Sequence, residues 1–472
     1  MIPVRTFEGK EVAVFGLGRS GISAARALMA GGARVCAWDD NEAARKAAEA
    51  AGVPVVDLNR RDWQTFAALV LAPGIPFKYP EPHRFVRMAQ LVNVPVIGDM
   101  ELFARAVDEL KEFERPRIVG ITGTNGKSTT TALIGHILRA CGKDVRVGGN
   151  IGVGVLDLDK LHGGAIYVLE LSSYQLDLAE SLKCDVAVML NLSPDHLARH
   201  GGMDGYVQAK RRIFRNQGPA DWAIIGVDDT RSQVMATQLT SEGLRKVMHI
   251  SAEFGLGRGV SVLAGQLADS MTGRSVPPHD ISKARALPGK HNHQNAAAAY
   301  AACRALGLEP SDILSAMETF PGLPHRLELI GTLDGVRFIN DSKATNAQAA
   351  EQALRAYPGS YWIVGGRPKE EGIDDLGPLF GTMKKAYLIG ESTEAFARVL
   401  AGKLEAVKSR TIEAAVEAAY EDARNSGEPS PVVLFSPACA SFDQFRDFEQ
   451  RGEAFRQAAS KLVKRRTPTE PA

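Results

Sequence analysis

Short runs of apolar residues alternate with stretches of helical periodicity along the whole chain. Such runs lie at residues 12–15, 34–38, 118–121, 167–171, 186–190, 361–364 and 432–435. Their apolar positions are continuous rather than alternating, which is typical of strands buried on both faces of a parallel sheet. The pattern therefore predicts an α/β fold built from strand–helix–strand units.

The length of the chain and two breaks in this pattern predict three domains. The chain has 472 residues, and a typical domain has roughly 150. A charged stretch at 104–117 precedes a new strand, and the segment PGLPHR at 321–326 follows a helical pattern with two prolines. We predict domains at 1–112, 113–322 and 323–472.

Composition narrows the class of protein. The chain has 56 basic and 55 acidic side chains and a formal net charge of +1, so neither nucleic acid nor an anionic membrane is expected as a partner. Five scattered cysteines without C-x-x-C spacing fit a reducing compartment. We find no pattern of a secretion signal and no apolar run of membrane-spanning length. We therefore expect a cytoplasmic protein whose partners are small molecules. As a separate expectation, which these observations do not establish, we take the chain to be a monomer.

A glycine-rich turn follows the first predicted strand. Gly16, Gly18 and Gly21 have the G-x-G-x-x-G spacing, and Asp39 ends the next strand about 20 residues later. Glycines in such a turn let the backbone approach a diphosphate at a helix N-terminus, and the acidic residue can bond a ribose. The motif predicts a nucleotide diphosphate without distinguishing NAD from other nucleotides, and a tight turn without a ligand is the alternative.

A second phosphate-binding pattern lies at 118–129, where a strand runs through a loop into a helix predicted from Thr130. Its G-K-S core at 126–128 is that of a P-loop, although Ile121 stands where the strict pattern has its first glycine. Loop N–H groups would cradle phosphates, Lys127 would reach the β/γ oxygens, and Ser128 would hold Mg²⁺. Two nucleotide sites in one chain point to an ATP-driven step on a nucleotide-linked substrate.

Several longer segments, taken in order, resemble the Mur ligases of peptidoglycan synthesis. They are GTNGKST (123–129), GGNIG (148–152), LELSSYQL (169–176), NLSPDH (191–196), KHNHQN (290–295), NDSKATN (340–346) and SPACASFDQFRDFEQRG (436–452). The last two, together with GGRPK at 365–369, are similar to the members that add D-glutamate.

The resemblance implies a Rossmann-like N-terminal domain, a central P-loop ATPase-like α/β domain and a Rossmann-like C-terminal domain. It also implies an ATP- and Mg²⁺-dependent ligase that joins D-glutamate to UDP-N-acetylmuramoyl-L-alanine. ATP would phosphorylate the L-alanine carboxylate. The amine of D-glutamate would then attack the acyl phosphate, and a tetrahedral intermediate would expel phosphate.

The resemblance also assigns candidate residues to each ligand. ATP is expected to contact Gly123, Thr124, Asn125, Gly126, Lys127, Ser128, Thr129, Asn292, Asn295, Arg326, Asp341 and Lys343. The expected metal ligands are Ser128, Glu170, His196 and a carbamylated Lys210, and the catalytic residues are Lys127, His196 and Lys210. The UDP-sugar is expected at Arg19, Ser20, Asp39, Asp40, Gly74 and Asn150, and D-glutamate at Thr345, Lys369, Ser441, Phe442 and Phe448.

Residue patterns alone leave plainer interpretations of some of these positions. Lys210 lies in a KRR run that is typical of a solvated helix face, and Glu170 would be an exposed carboxylate at a strand end. His196 and His200 have the i, i+4 spacing of zinc ligands on a helix, but the segment lacks the glutamate of H-E-x-x-H.

Three other functions stay open at this stage. One is a ligase of the same superfamily that adds another amino acid or extends folate with glutamate. Another is a nucleotide-binding protein without catalytic activity. The third and least favoured is an NAD-dependent dehydrogenase.

Overall fold

Three sheets organise the chain in the computed structural model, which describes residues 1–271, 277–368 and 372–466. Each sheet consists mainly of parallel strands joined through helices, so the predicted α/β class is confirmed. The chain divides into two compact units. The first holds Met1–Lys283 and His293–Phe320, and the second holds Ala284–Asn292 and the chain from Pro321 onward. The predicted domain boundaries after residues 112 and 322 stay predictions.

The first sheet has four parallel strands in the order β2-β1-β3-β4. Its middle strands are almost wholly buried, as their continuous apolar sequence predicts. The strands are β1 (Glu11–Phe15), β2 (Arg34–Trp38), β3 (Phe66–Leu71) and β4 (Val96–Ile97). The helices are α1 (Arg19–Ala30), α2 (Glu42–Ala50), α3 (Arg84–Leu91) and α4 (Asp99–Asp108).

The second sheet has nine strands in the order β13-β12-β11-β10-β9-β8-β5-β7-β6. They are β5 (Arg117–Thr122), β6 (Asp144–Gly149), β7 (Ala165–Glu170), β8 (Val186–Met189), β9 (Trp222–Gly226), β10 (Lys246–Ser251), β11 (Val260–Leu263), β12 (Gln266–Asp269) and β13 (His279–Asp280). The helices are α5 (Lys127–Ala140), α6 (Ser173–Asp177), α7 (Leu197–His200), α8 (Met203–Arg211), α9 (Thr230–Glu242), α10 (Lys290–Ala305) and α11 (Pro310–Glu318).

Strand β5 lies at the point where the order in which strands are added to this second sheet reverses. Its neighbours are β7 on one side and β8 on the other, and both run parallel to it. Ligands of open α/β sheets bind at the carboxyl ends of strands at such a switch point. The described part of residues 255–286, a segment without a clear hydrophobic pattern, contains the edge strands β11 to β13, which are joined by antiparallel pairing.

The third sheet has six strands in the order β14-β15-β19-β16-β17-β18. They are β14 (Glu328–Leu333), β15 (Val336–Asn340), β16 (Tyr361–Gly365), β17 (Lys385–Ile389), β18 (Ala406–Arg410) and β19 (Val432–Phe435). Its helices are α12 (Ala347–Ala356), α13 (Gly377–Phe380), α14 (Thr393–Leu400), α15 (Ile412–Arg424) and α16 (Phe448–Arg466).

Helices cover both faces of this third sheet. Along β16, Trp362 and Val364 enter one hydrophobic cluster, and Tyr361 and Ile363 enter another. Alternate residues of a strand point to opposite faces, so a strand covered on both sides is apolar at every position. Within the described ranges, no helix combines the length and the apolar character needed to span a membrane.

Candidate active site

The phosphate loop joins β5 to α5 and depends on two glycines. Gly123 has φ of 148° and Gly126 has φ of 83°, which are backbone conformations that side chains disfavour. A Cβ atom on Gly126 would also lie 2.2 Å from Oδ1 of Asn295. Helix α5 begins at Lys127, three residues before the predicted start, because the left-handed glycine forms its N-cap. The N–H groups of this helix start can bind an anion.

Lys127 lies over this loop. Its Nζ donates to the carbonyl oxygens of Gly123 at 2.9 Å and Thr124 at 2.7 Å. The next two residues, Ser128 and Thr129, complete the first turn of α5, and Ser128 is buried. A cation and a helix N-terminus therefore face the same loop, which is the arrangement that stabilises a polyphosphate.

A polar network that the sequence analysis missed holds the phosphate loop in place. Thr124 N donates to the carbonyl oxygen of Asn191 at 2.9 Å, and Asn125 N donates to Asn191 Oδ1 at 2.9 Å. Asn191 Nδ2 donates to Gln294 Oε1 at 2.9 Å, and Gln294 Nε2 donates to Asp228 Oδ2 at 2.8 Å. Asn191 and Gln294 lie inside the quoted motifs NLSPDH and KHNHQN, but nothing in their spacing indicates that they contact each other.

Glu170 ends β7 and is buried, with only 3% of the residue exposed. The interpretation as an exposed strand-end carboxylate is therefore wrong. Its Oε1 accepts a hydrogen bond from Asn150 Nδ2 at 2.7 Å, whereas its Oε2 is buried and has no hydrogen-bond partner within the described residues. A buried carboxylate oxygen needs a cation or a donor, so this oxygen fits a metal ligand.

The described residues contain no group of three or more histidine, cysteine or acidic side chains that could enclose a metal. Mg²⁺ commonly binds through one or two protein ligands together with phosphate oxygens and water. The combination of Glu170 with the nearby phosphate loop fits that kind of site and not an all-protein cage.

Lys210 on α8 is also buried, with 1% of the residue exposed, so its interpretation as part of a solvated helix face is wrong. Its Nζ donates to the carbonyl oxygen of Gly123 at 2.8 Å and lies 3.3 Å from Thr122 Oγ1. Burial, reinforced by the charge of Lys127, holds the pKa of Lys210 well below its ordinary value. A lysine in this state presents a neutral, nucleophilic amine more readily than an exposed one.

The two histidines of the HLARH segment have different surroundings. His196 is exposed, has φ of 52°, and lies with Nε2 3.5 Å from Asp195 Oδ2. About half of the His196 side chain is shielded from solvent, and this partial burial lowers its pKa. His200 is buried between Ser173 Oγ at 2.9 Å and Asp177 Oδ2 at 3.2 Å, so the pair does not form a zinc site.

The first glycine turn is tightly packed. A Cβ atom on Gly16 would lie 2.6 Å from Ala72 Cβ, and one on Gly21 would lie 1.8 Å from the carbonyl oxygen of Gly16. Asp39 Oδ2 accepts a hydrogen bond from Leu17 N at 2.6 Å, so this carboxylate already stabilises the turn itself.

The other candidate residues for the UDP-sugar lie around this turn. Arg19 and Ser20 begin α1, and Arg19 Nη1 donates to the carbonyl oxygen of Gly152 at 2.8 Å. Asp40 forms an ion pair with Arg84, with oxygen–nitrogen distances of 2.5 and 3.0 Å. Gly152 follows Asn150 in the GGNIG segment, so the first glycine turn lies next to the loop that contacts Glu170.

Arg199 holds the loop at residues 73–75, a role that was not predicted from the sequence. Its Nη1 donates to the carbonyl oxygen of Gly74 at 2.9 Å, and its Nη2 donates to those of Ile75 at 2.8 Å and Pro73 at 3.3 Å. The guanidinium also lies 4.8 Å from the ring centroid of Tyr174. Arg199 therefore fixes the loop that contains the candidate Gly74, and no sequence pattern indicates this contact.

In the second unit, candidate residues follow β15, β16 and β19, which are neighbouring strands. Asp341 accepts hydrogen bonds from Ser436 Oγ at 2.8 Å and Leu327 N at 3.3 Å. Burial raises the pKa of Asp341 to about 7. Lys343 Nζ lies 3.7 Å from the ring centroid of Phe448, a cation–π contact.

Arg451 ties these loops together and was not assigned from the sequence. It is 1% exposed, and it donates to Ser342 Oγ at 3.1 Å, Ser342 O at 2.8 Å and Cys439 O at 2.9 Å. Burial lowers the pKa of Arg451 to about 10. The NDSKATN and SPACAS loops are therefore held together by one guanidinium.

Models of two protein families match the chain. The Mur ligase middle domain matches residues 121–303, and the Mur ligase, glutamate ligase domain matches residues 325–439. The chain belongs to the Mur ligase family. The first match begins in the strand that leads to the phosphate loop, and the second contains Asp341 and Lys343.

Relatives of this Mur ligase extend over almost its whole length. It is 60% identical over 463 residues to UDP-N-acetylmuramoylalanine--D-glutamate ligase of Caulobacter vibrioides, covering 98% of each chain. It is 48% identical over 476 residues to the enzyme of the same name from Rhodospirillum rubrum, covering 100% of this chain and 98% of the other.

Solved structures show the same fold. The UDP-N-acetylmuramate-alanine ligase MurC from Thermotoga maritima aligns with a TM-score of 0.58 at 17% identity, covering 96% of this chain and 99% of that one. MurF from Acinetobacter baumannii aligns with a TM-score of 0.57 at 22% identity, covering 97% and 93%. This Mur ligase is an ATP-dependent carbon–nitrogen ligase of peptidoglycan precursor synthesis, which sets aside the dehydrogenase and the non-catalytic alternatives.

The remaining candidate residues of this Mur ligase lie as follows. Asn292 and Asn295 are both in the first turns of α10, where Asn292 Nδ2 donates to Pro288 O at 2.7 Å and Asn295 Oδ1 accepts from Thr130 Oγ1 at 3.2 Å. Arg326 lies two residues before β14, and Thr345 is half-buried. Ser441 is buried and Phe442 is 62% exposed, while Lys369 lies outside the described residues.

Proposed function

We propose that this Mur ligase joins D-glutamate to UDP-N-acetylmuramoyl-L-alanine and consumes one ATP in each turnover. The observation that carries the choice of substrates is the 60% identity, over 98% of both chains, to an enzyme named for that reaction. The buried groups around the phosphate loop support the chemistry. The runner-up is a Mur ligase that adds another amino acid, because such an enzyme would share the same phosphate loop.

In the proposed reaction, an oxygen of the L-alanine carboxylate attacks the γ-phosphorus of ATP. The bond to ADP breaks, and an acyl phosphate forms. The amine of D-glutamate then attacks the acyl carbon and loses a proton. The tetrahedral intermediate expels inorganic phosphate and leaves an amide, so that atoms and charges balance.

Bringing a carboxylate to a triphosphate concentrates negative charge, and the residues of the phosphate loop oppose that charge. We assign Gly123, Thr124, Asn125, Gly126, Lys127, Ser128 and Thr129 to ATP, together with Asn292, Asn295, Arg326, Asp341 and Lys343. We assign the catalytic role in this set to Lys127, whose ammonium bonds the loop carbonyls and lies where a bound triphosphate would meet the loop.

Mg²⁺ would be held by the hydroxyl of Ser128 and the carboxylate of Glu170, with His196 and Lys210 beside a second ion. When bound, Mg²⁺ supplies positive charge that neutralises the phosphate oxygens. The support in this chain is the buried Oε2 of Glu170, which has no hydrogen-bond partner within the described residues. Asn150 holds the other oxygen of this carboxylate and thereby orients it.

Lys210 is proposed to act as a carbamate. The neutral amine attacks carbon dioxide, a nitrogen–carbon bond forms, and one proton is released. The low pKa of Lys210 favours this step, because the neutral amine is more abundant at a given pH than it is in an exposed lysine. Carbon-13 NMR with labelled bicarbonate should show a carbamate signal that Lys210→Arg abolishes, and an unchanged signal would contradict the assignment.

The two remaining ligands have candidate residues in different parts of the chain. We assign the UDP-sugar to Arg19, Ser20, Asp39, Asp40, Gly74 and Asn150, and D-glutamate to Thr345, Lys369, Ser441, Phe442 and Phe448. The adjacency of β15, β19 and β16 supports the second set, because loops after neighbouring parallel strands meet at one sheet edge. We further propose three domains at 1–112, 113–322 and 323–472, and a cytoplasmic monomer.

Release of ADP tests the function. The reaction contains Mg²⁺, ATP and UDP-N-acetylmuramoyl-L-alanine, with D-glutamate, L-glutamate, another amino acid or no amino acid. Release that requires D-glutamate supports the proposal. Release with a different amino acid keeps the chemistry and favours the runner-up, and no release with any amino acid refutes both.

A further inference from the structure

A cavity of about 640 Å³ lies within the first compact unit. Its wall is formed by α8 and the turn after it, by the end of α9, and by Lys78 and Tyr79 from the N-terminal part of the chain. None of the residues assigned above to ATP, Mg²⁺ or the UDP-sugar belongs to this wall. The cavity has a volume that suits a small ligand.

The wall of this cavity is strongly basic. The cations are Lys78, Arg211, Arg212, Arg215 and Arg245, and the carboxylates are Asp177 and Glu242. Glu180 also pairs with two of these arginines, so five cations against three carboxylates leave two positive charges, whereas the whole chain has a formal net charge of only +1. The excess is therefore a local feature and not a property of the overall composition.

Two of these arginines share a single carboxylate. Arg211 and Arg245 both form an ion pair with Glu242, Arg245 at 3.2 Å. The side chain of Arg245 is only 4% exposed, and the Nε–H groups of both arginines are buried without an acceptor in the described part of the chain. One carboxylate compensates one guanidinium, so a nearly buried positive charge and two donors are left unsatisfied.

On the other side of the cavity, two arginines again share one carboxylate. Arg212 and Arg215 lie 3.6 and 3.8 Å from the same carboxylate oxygen of Glu180, a side chain that is 69% exposed. Arg212 is held in place by its bonds to the carbonyl oxygens of Leu176 at 2.7 Å and Ala179 at 3.0 Å. Its charge is thus positioned by neutral backbone groups and not neutralised by them.

We propose that this cavity is a second anion site, which binds a small polyanion bearing two or more phosphate groups. Arginine is suited to such a ligand because its planar fork matches phosphate oxygens. The ligand chemistry has two possible sources, an inorganic diphosphate and the diphosphate of a nucleotide. The site lies on α8, the helix that also contains Lys210, so its occupant contacts the same element as the proposed catalytic centre.

Hydrogen exchange of the full chain locates this binding. Pyrophosphate and UDP are each added to the protein, and exchange is followed in peptides from 203–215, from 239–245 and from the phosphate loop at 122–130. We expect slower exchange in the first two regions. Protection by pyrophosphate alone identifies inorganic diphosphate as the ligand, whereas stronger protection by UDP identifies a nucleotide. Protection confined to the phosphate loop overturns the proposal.

Titration calorimetry with pyrophosphate measures the contribution of the arginines. The double variant Arg211→Gln, Arg245→Gln should bind at least about tenfold more weakly at this site, because charged hydrogen bonds to the anion are lost. The control is Arg231→Gln, which replaces an exposed arginine at the start of α9, the helix that ends at Glu242. This variant should bind as the wild type does. If the double variant unfolds, Arg245→Gln alone is compared with the control. Equal affinity in the arginine variants and the control refutes the site.

Discussion

Replacement of Arg199 by methionine should weaken binding of the UDP-linked substrate more than binding of ATP. The wild-type guanidinium donates to three carbonyl oxygens of residues 73–75, whereas methionine keeps an unbranched apolar stem and removes every donor. The loop that contains Gly74 then loses its connection to the segment that follows His196. The phosphate loop does not contact Arg199 through any of these bonds, so binding of ATP should be preserved.

The expected size of the effect follows from the hydrogen bonds. A hydrogen bond to a charged group contributes about 1.5–3 kcal/mol. The three carbonyl groups lie in a loop that is partly exposed, so water can replace part of what is lost. We therefore take the equivalent of one bond as the net loss, which corresponds to an increase of about 10- to 150-fold in the KM for the UDP-linked substrate.

Steady-state kinetics of ADP release, with each substrate varied in turn, measures this separation. Arg199→Lys is the matched control, because it keeps the positive charge but loses the forked geometry, and its KM should lie between those of the wild type and Arg199→Met. The reasoning is refuted if Arg199→Met leaves the KM for the UDP-linked substrate within about twofold of the wild type. It is also refuted if the KM values for both substrates rise equally.

Three further predictions concern the phosphate loop and Asp341. Lys127→Ala should lower turnover at least about 100-fold, measured as ADP release, because it removes the cation over the loop; a near-normal rate would contradict that role. Gly126→Ala and Gly142→Ala both place alanine at a positive φ, of 83° and 71°, at a cost of about 1–2 kcal/mol each. Only Gly126 would meet Asn295 as well, so only its variant should lose ATP binding in calorimetry, and equal losses would refute the steric argument. Because burial raises the pKa of Asp341 from its ordinary value to about 7, the native state holds the proton of this carboxyl group more tightly than the unfolded state does. Its contribution to unfolding free energy should fall as pH rises from about 4 to about 7 and then stay constant. Urea unfolding at pH 5 and 8 should show a smaller pH dependence for Asp341→Asn, and an unchanged one would show that Asp341 does not titrate there.

Features of the candidate loops that depend on neighbouring residues could be predicted from the sequence. The glycines of both loops are required by backbone geometry within a few residues, as at Gly126, and such a requirement appears directly as a glycine in the sequence. The motifs around Glu170 and Lys210 were found by resemblance. Residue patterns alone, however, described both side chains as exposed, and both are buried. Burial of Lys210 depends on Thr122 and Gly123, which are more than 80 residues away.

The residues that were missed share this physical cause. By sequence pattern alone, several arginines would be ordinary surface residues, namely Arg199, Arg451, Arg211 and Arg245. Their partners are backbone carbonyl groups or a carboxylate, and the sequence does not show which of these lie nearby. A hydrogen bond to a backbone carbonyl does not require a particular partner residue, since every residue has a carbonyl. Such contacts cannot be predicted without knowing which loops meet.

The sequence by itself determined the α/β class, the seven strands that were predicted, and the two glycine turns, because these depend on apolar runs and on backbone conformations set by neighbouring residues. Only the tertiary structure decided that β19 lies between β15 and β16 and that five basic side chains surround one cavity. It also decided that Glu170 keeps a buried oxygen to which no described residue donates a hydrogen bond. Strand order and charge clustering depend on contacts between distant parts of the chain, and their energies are absent from any local pattern.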